Sequence, residues 1–207
     1  MTNNFNNSIN RMKKNIENNG YLLEEEIPLL LDHISNKTIR MLAYTLCYSG
    51  RRVSEALLLK PKDIHEEVGE ISWTILKKEG DNLIIKKKAA YPGLIETLTE
   101  YVNYNDIGWK QYVFSTPYSL PIGLNPYTRQ QVWKVIHTTG EIIGKNIHPH
   151  SLRHTYGILL AMNGASFKTI QDQLDHEFAS TTQVYLDIAQ VHVKEDLKKM
   201  EERTMRI

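Results

Sequence analysis

A single cysteine, Cys47, is the only thiol in the 207-residue sequence. That excludes an internal disulfide framework and any thiolate-rich zinc site, and it suits a reducing compartment. Cys47 lies in the apolar helical pattern MLAYTLCY and is expected to be core. Long apolar runs are missing too, since nothing approaches the roughly 20 residues of a membrane-spanning helix, and no membrane partner is expected. The opening MTNNFNNSINRMKKNIENN has no apolar segment of the kind a secretory signal needs, so a cytoplasmic location is the expectation. An excess of one charge sign is also lacking, with 25 Lys and Arg against 24 Asp and Glu for a net charge of +1. A chain that grips a nucleic-acid backbone usually carries a positive excess, so any such surface here must be local. No internal repeat or low-complexity linker divides the chain, and this length can form one sizeable core.

The basic residues do cluster, at Arg11, Lys13 and Lys14, at Arg51 and Arg52, at Lys60 and Lys62, at Lys77 and Lys78, and from Lys86 to Lys88. Glu24 to Glu26 and Glu66, Glu67 and Glu70 are the acidic counterweights. Composition alone leaves one basic face and scattered solvated charge about equally open.

Residues 1–20 are polar and read as an arm or leader helix. From Leu22 the pattern tightens: Glu24 to Glu26 suit a helix N-terminus, Pro28 fits a first turn, and Leu29, Leu30, Leu31 and Ile34 supply an apolar face. Ile39, Leu42, Ala43 and Leu46 predict a second helix over Asn36 to Tyr48, closed by Gly50 in the left-handed conformation. A short helix is expected over Val53 to Leu59, ended by Pro61, with Arg51 and Arg52 at its entrance. Between Glu70 and Lys88 the period becomes two, with Ile71, Trp73 and Ile75 alternating with Ser72, Thr74 and Leu76, a turn at Gly80 to Asn82, and a return strand beginning LIIKKK. Tyr91-Pro92-Gly93 opens another helix through Leu94, Ile95, Leu98 and Val102. The turn-rich piece from Asp106 to Leu124 contains Tyr112 to Phe114 as strand or buried loop, and Asn125-Pro126 reads as cap and first position of a helix through Val132 and Ile136. The fold class is α+β, mainly helical, with a small antiparallel sheet around a hairpin at about 70–88.

Residues able to grip a phosphate and attack it gather between His148 and Tyr185. His150 and Arg153 share a face at the start of a helix whose apolar side is Leu152, Tyr156, Leu159 and Leu160, where amides and helix dipole favour an anion. A second helix, capped near Ser166, buries Ile170 and Leu174 and delivers His176 at its end. Ser180-Thr181-Thr182 can cap a third, carrying Tyr185 in its first turns. Singly, each has a plainer reading: a capping histidine, a half-buried tyrosine, an Arg51 or Arg52 paired with Glu55 at the surface, hairpin-tip lysines kept for solubility. His150 and His154 at i, i+4 lack the intervening glutamate of a zinc hydrolase helix, and no cysteine or carboxylate cluster completes a site, so no metal is expected.

Taken together, these motifs resemble the tyrosine recombinase family (phage integrase, Xer and Cre-like), in its catalytic domain, from about Tyr21 to Ala189. SGRRVSEAL resembles the first arginine motif, with Arg52 at the catalytic arginine and Arg51 where leucine is more usual. HPHSLRHT is similar to the H-x-x-R box and supplies His150 and Arg153; LDH resembles the LGH box, with Asp175 for glycine before His176; STTQVY ends at the nucleophilic tyrosine, Tyr185. The family places a catalytic lysine at the end of the first hairpin strand, which implies Lys77, with Lys78 as the alternative.

The resemblance implies a site-specific recombinase or integrase that breaks and rejoins double-stranded DNA through a 3′-phosphotyrosyl intermediate, conserving bond energy and needing neither ATP nor another cofactor. Arg52 and Arg153 neutralise the transition-state phosphate, His176 adds a hydrogen bond, Lys77 protonates the leaving oxygen, and His150 assists proton transfer or orients the phosphate. A type IB topoisomerase-like strand transferase and a catalytically idle DNA-binding regulator are the other readings. Asp175 beside His176 can raise that histidine's pKa or cap a helix. Integrases and Xer proteins carry a core-binding domain ahead of this one, so the sequence is expected to be a piece of such a chain or a member built of the catalytic domain. Residues 190–207, with Val193, Leu197 and Met200 at helical spacing, are expected to form a helical tail that joins protomers into a homo-oligomer on DNA or packs on its own domain.

Overall fold

A computed structural model describes residues 20–76, 83–117, 123–176 and 179–204. The expected arm at 1–20, apart from Gly20, and the hairpin turn at Gly80 to Asn82 lie outside them. Helix α1 (Glu26–His33) has Pro28 in its first turn, as predicted, and buries Ile27 and Leu30, whereas Leu29 faces solvent. Helix α2 (Lys37–Ser49) starts on Asn36, whose side chain accepts from the Ile39 N–H, and buries Leu42, Ala43, Leu46 and Cys47. Each fully buried leucine here contributes roughly 1.5–3 kcal/mol. Gly50 ends α2 at φ +62°, and a Cβ there would stand 2.4 Å from Tyr156 and 2.7 Å from Leu174, so both backbone and space demand glycine.

Helix α3 is shorter than predicted, Val53–Ala56. From Leu58 its hydrogen bonds tighten to the i→i−3 pattern, Leu58 N–H to Glu55 O and Leu59 N–H to Ala56 O. A two-residue strand β1 (Ile64–His65), absent from the sequence reading, precedes the expected hairpin β2 (Glu70–Leu76) and β3 (Leu83–Ala89). The three are antiparallel in the order β1-β2-β3, with Ile71 opposite Lys88 and Trp73 opposite Lys86. Period-two alternation buries Ile71, Trp73 and Ile75 on β2 and turns Ile84, Lys86 and Lys88 of β3 to the less exposed side.

Helix α4 (Pro92–Tyr104) follows. Val113 and Phe114 form a buried loop, one of the two possibilities open from sequence. Asn125-Pro126 does not start a helix: Pro126 bridges Ser115 in extended backbone, and α5 (Arg129–Ile142) begins on Thr128 instead. There Gln131 N–H donates to Thr128 Oγ1 and Thr128 N–H to Gln131 Oε1, a reciprocal box that fixes the start. Helix α6 (Pro149–Met162) runs through the centre, with Leu152 and Leu159 in the main core and Tyr156 and Ile158 in a second cluster with Ile170, Leu174, Val184 and Tyr185. Helix α7 (Phe167–Gln173) is capped by Ser166 as predicted.

Helix α8 (Ala179–Thr204) already contains Ser180 to Thr182 rather than being capped by them, and it continues unbroken past residue 190. Its first half packs Val184, Tyr185 and Ala189 inward; beyond, Val193, Leu197 and Met200 are exposed. Among the described residues no helix is long and apolar enough to cross a membrane.

Candidate active site

The α2–α3 turn supplies the first half of the site. Gly50 swings the chain so that Arg51 points inward and Arg52 outward. Arg52 donates its backbone N–H to Glu55 Oε2 at 3.1 Å and its Nη1 to Oε1 at 2.7 Å. Glu55 is buried, but the Arg52 side chain stays 47% exposed, so the pairing foreseen from sequence orients the guanidinium without enclosing it. Arg51 is 1% exposed and donates Nη1 to Asp175 Oδ2 at 2.5 Å.

Helix α6 supplies the second half. Its cap is His148, whose Nδ1 accepts from the Ser151 N–H while Ser151 Oγ accepts from the His148 N–H. One turn in, Arg153 is buried and donates to the carbonyls of Gly50, at 2.6 Å, and Leu174. Burial and then the neighbouring Arg52 lower its pKa to about 10, which leaves it charged at neutral pH. His150, in the first turn of α6, keeps solvent exposure, its ring edge-on to His154 at 4.5 Å between centroids. Partial desolvation of the ring, followed by Arg153, His148 and Arg52, lowers its pKa.

The α7–α8 turn brings the rest. Asp175 holds φ +50°, and His176 follows, its Nδ1 3.1 Å from Thr182 Oγ1 and its ring stacked on Tyr185 at 5.8 Å. Burial, then Arg153, Arg52 and His150, push the His176 pKa down to about 3, against a weaker upward pull from Asp175. The upward pull expected from Asp175 is present but outweighed, and its carboxylate is engaged by Arg51, by Lys86 at 2.7 Å and by Lys88 at 3.1 Å. Burial by itself would raise the Asp175 carboxyl, but hydrogen bonds from Lys86, Arg51 and Lys88 hold it well below the usual range. Beside it opens a cleft of about 530 Å³ lined by Lys86, Lys87, Lys88, Asp172, Asp175 and His176.

Tyr185 itself is fully buried. Its hydroxyl lies 3.0 Å from His154 Nδ1, and burial raises its pKa, so it remains protonated. His154 is held neutral, first by burial and then by His150 and Arg153, which suits its ring nitrogen to accept the tyrosine proton in the hydrogen bond. A Cβ on Gly157 would meet the Tyr185 ring at 2.8 Å, so glycine lets that ring lie against α6.

A model of the phage integrase family matches residues 20–192. The chain belongs to the phage integrase family. A tyrosine recombinase of Pseudothermotoga lettingae is 30% identical over 172 residues, 81% of this chain and 56% of the relative. The crystal structure of XerA recombinase aligns at TM-score 0.67 and 25% identity over 85% of this chain and 64% of that one. XerH site-specific recombinase, bound to palindromic difH substrate in a post-cleavage complex, shares the fold at TM-score 0.63 and 22% identity, over 89% of this chain and 54% of that one. The chain thus spans between half and two thirds of the length of these proteins.

Within the phage integrase match, Arg52, His150, Arg153, His176 and Tyr185 all border one site, although Tyr185 is enclosed rather than presented. Lys77 and its alternative Lys78 lie outside the described residues. Four further residues border the site without having been assigned to it from sequence: Arg51, at a position where leucine is more usual; His154, considered only as a metal partner of His150; and Lys86 and Lys88, which stand out in sequence only as a basic run. The period-two position of Lys86 and Lys88, in register with Ile84 on the inner face of β3, was the available signal for those two.

Proposed function

We infer that this chain breaks and rejoins double-stranded DNA as a site-specific recombinase or integrase, with residues 21–189 as its catalytic unit and 3′-phosphotyrosyl DNA as the intermediate. The observation that carries the reading is that Arg153 ties the Gly50 turn, which leads to Arg52, to the Leu174 turn, which leads to His176 and the Tyr185 ring stacked on it, across 103 residues of sequence. Membership of the phage integrase family and the DNA-bound relative support it.

In this reading the Tyr185 oxygen attacks the scissile phosphorus, its proton passing toward His150. The P–O5′ bond breaks, the 3′-phosphate stays on the tyrosine, and the 5′-oxygen takes a proton from Lys77. Charge gathers on the non-bridging oxygens, where Arg52 offers an open guanidinium and Arg153 a buried one. His176, neutral at physiological pH, supplies one ring N–H to a phosphate oxygen. A 5′-hydroxyl of a second strand then reverses the sequence. Attack requires the Tyr185 hydroxyl to leave His154, because no part of the side chain now meets solvent. Exchange of strands needs more than one protomer, and the exposed end of α8 is the surface assigned to that assembly. The reaction belongs in the cytoplasm, where the DNA is.

The test is incubation with a pool of nicked suicide duplexes of randomised sequence, followed by denaturing electrophoresis. Wild type is expected to form a covalent protein–DNA adduct and Tyr185→Phe none. An adduct with the phenylalanine variant, or DNA retention with no adduct from wild type across the pool, would overturn the enzymatic reading; the latter outcome fits an idle DNA-binding protein.

A further inference from the structure

Two arginines lace two distant turns together. Arg153 donates Nη1 to Gly50 O at 2.6 Å and Nη2 to Leu174 O. From the first turn Arg51 reaches across the same gap, with Nη2 on Gln173 O and Nη1 on the Asp175 carboxylate at 2.5 Å, a span of 124 residues in sequence. Both guanidiniums are buried, at 1% and 2% exposure. The other oxygen of Asp175 takes Lys86 and Lys88 from β3, and Lys88 also donates to Asp172 O. Sheet, first turn and second turn are thereby joined at one carboxylate.

The geometry points to Arg51 and Asp175 as positioning residues for the strand-transfer site: a buried ion pair that fixes the spacing of the Gly50 and Leu174 turns and so aims Arg52, Arg153 and His176. The inference rests on the function proposed above. Neither residue touches a reacting atom, yet Arg51 precedes Arg52 and Asp175 precedes His176 directly in the chain. Both turns pass through left-handed residues, Gly50 at φ +62° and Asp175 at φ +50°, each tied by its backbone N–H to the helix it follows, while Arg51 and Arg153 bond across the gap between them. If they part, Arg153 loses one of its two carbonyl acceptors and its guanidinium is free to turn.

Stability alone does not account for the pair. Desolvation offsets much of the attraction in a buried ion pair, and replacing both partners by uncharged groups is often neutral, whereas removing one strands the other. The stranding is unequal here. Asp175 faces three cations and keeps two if Arg51 is lost, but Asp175 is the only carboxylate bound to the Arg51 guanidinium among the described residues. Loss of Asp175 is therefore the more damaging single change. The double change Arg51→Leu with Asp175→Gly removes both members of the pair, leaves Lys88 its bond to Asp172 O and Lys86 at a 41% exposed position, and places at φ +50° the residue that best accepts it.

The experiment uses the full chain and the duplex that wild type cleaves best in the randomised pool. Asp175→Asn is expected to slow adduct formation at saturating DNA by about ten- to a hundredfold, the scale of a misplaced catalytic group, with DNA affinity little changed. Arg51→Leu is expected to lose less, and the double variant to recover most of the rate. In parallel, the Arg153 side-chain Nε–H resonance should shift or broaden in Asp175→Asn and return in the double variant. A wild-type rate and an unmoved Arg153 resonance in Asp175→Asn, or a double variant no better than the worse single, overturns the inference. Should Asp175→Asn fail to fold, Arg51→Leu decides, an unchanged rate at saturating DNA overturning it. If wild type cleaves no duplex, the functional reading falls, and the Arg153 resonance across the same variants still decides whether the pair positions that arginine.

Discussion

The Tyr185 hydroxyl and the His154 ring share a buried hydrogen bond of 3.0 Å, so the proposed nucleophile is held on the neighbour of Arg153 rather than turned toward the cleft. Replacing His154 by Leu leaves that hydroxyl enclosed without its acceptor, a loss of roughly 1–3 kcal/mol. Adding Tyr185→Phe removes the stranded group. Urea denaturation of the two single variants and the double should show the double more stable than the sum of the singles; strict additivity would mean the bond contributes nothing.

Arg52 and Arg153 predict opposite balances of stability and rate. Arg52→Lys keeps a cation for Glu55 at a half-exposed position, so stability should change by less than about 1 kcal/mol. The lost planar fork should slow adduct formation by roughly 10²–10³-fold. Arg153→Ala, in contrast, strands the Gly50 and Leu174 carbonyls and should lower stability by roughly 2–4 kcal/mol as well as abolishing the adduct. Thermal melts beside single-turnover cleavage separate the two; a strongly destabilised Arg52→Lys would contradict the open geometry.

Acid should unfold the protein through its histidines before its carboxylates. His176, at about 3 in the folded state, and His154, also depressed, bind protons more readily once unfolded. Their contribution is present above the unfolded value of about 6.5 and is lost as pH falls from there toward the folded values. Asp175, depressed as well, contributes above the unfolded carboxylate value of about 3.9 and loses that contribution below it. Stability measured between pH 7 and 4 should fall with acid, and His176→Gln should make the slope shallower by up to one bound proton. An identical slope in that variant would show that His176 titrates alike in both states.

The exposed stripe of Val193, Leu197 and Met200 is the proposed surface between protomers. Glutamates at Val193 and Leu197 should remove the slower bands of a DNA gel-shift ladder while leaving the single-protomer complex. An unchanged ladder would take α8 out of the assembly.

Local chemistry made much of this legible. Asn36 and Gly50 bracket α2 as their residue types demand, and the alternation from Ile71 to Ile75 marks β2. The expected Arg52, His150, Arg153, His176 and Tyr185 do meet. What sequence could not carry was competition and distance. Asn125-Pro126 is a sound helix start that lost to the stronger reciprocal box of Thr128 and Gln131. Arg51 looks like any surface arginine until a carboxylate 124 residues away is folded onto it. The same holds for Asp175, whose effect on His176 is outweighed first by burial and then by Arg153 and Arg52 arriving from other elements.

Helix α8 carries Tyr185 and Leu197 on one unbroken rod, separated by twelve residues and so by about 18 Å of helix axis. A rod has no slack. Whatever seizes its far end must either bend it or pass the motion to the tyrosine, tugging the hydroxyl from His154 or pressing it home. In the proposed assembly, a neighbour seated on the far end of α8 would act mechanically on the proposed nucleophile, by leverage and without any messenger residue between.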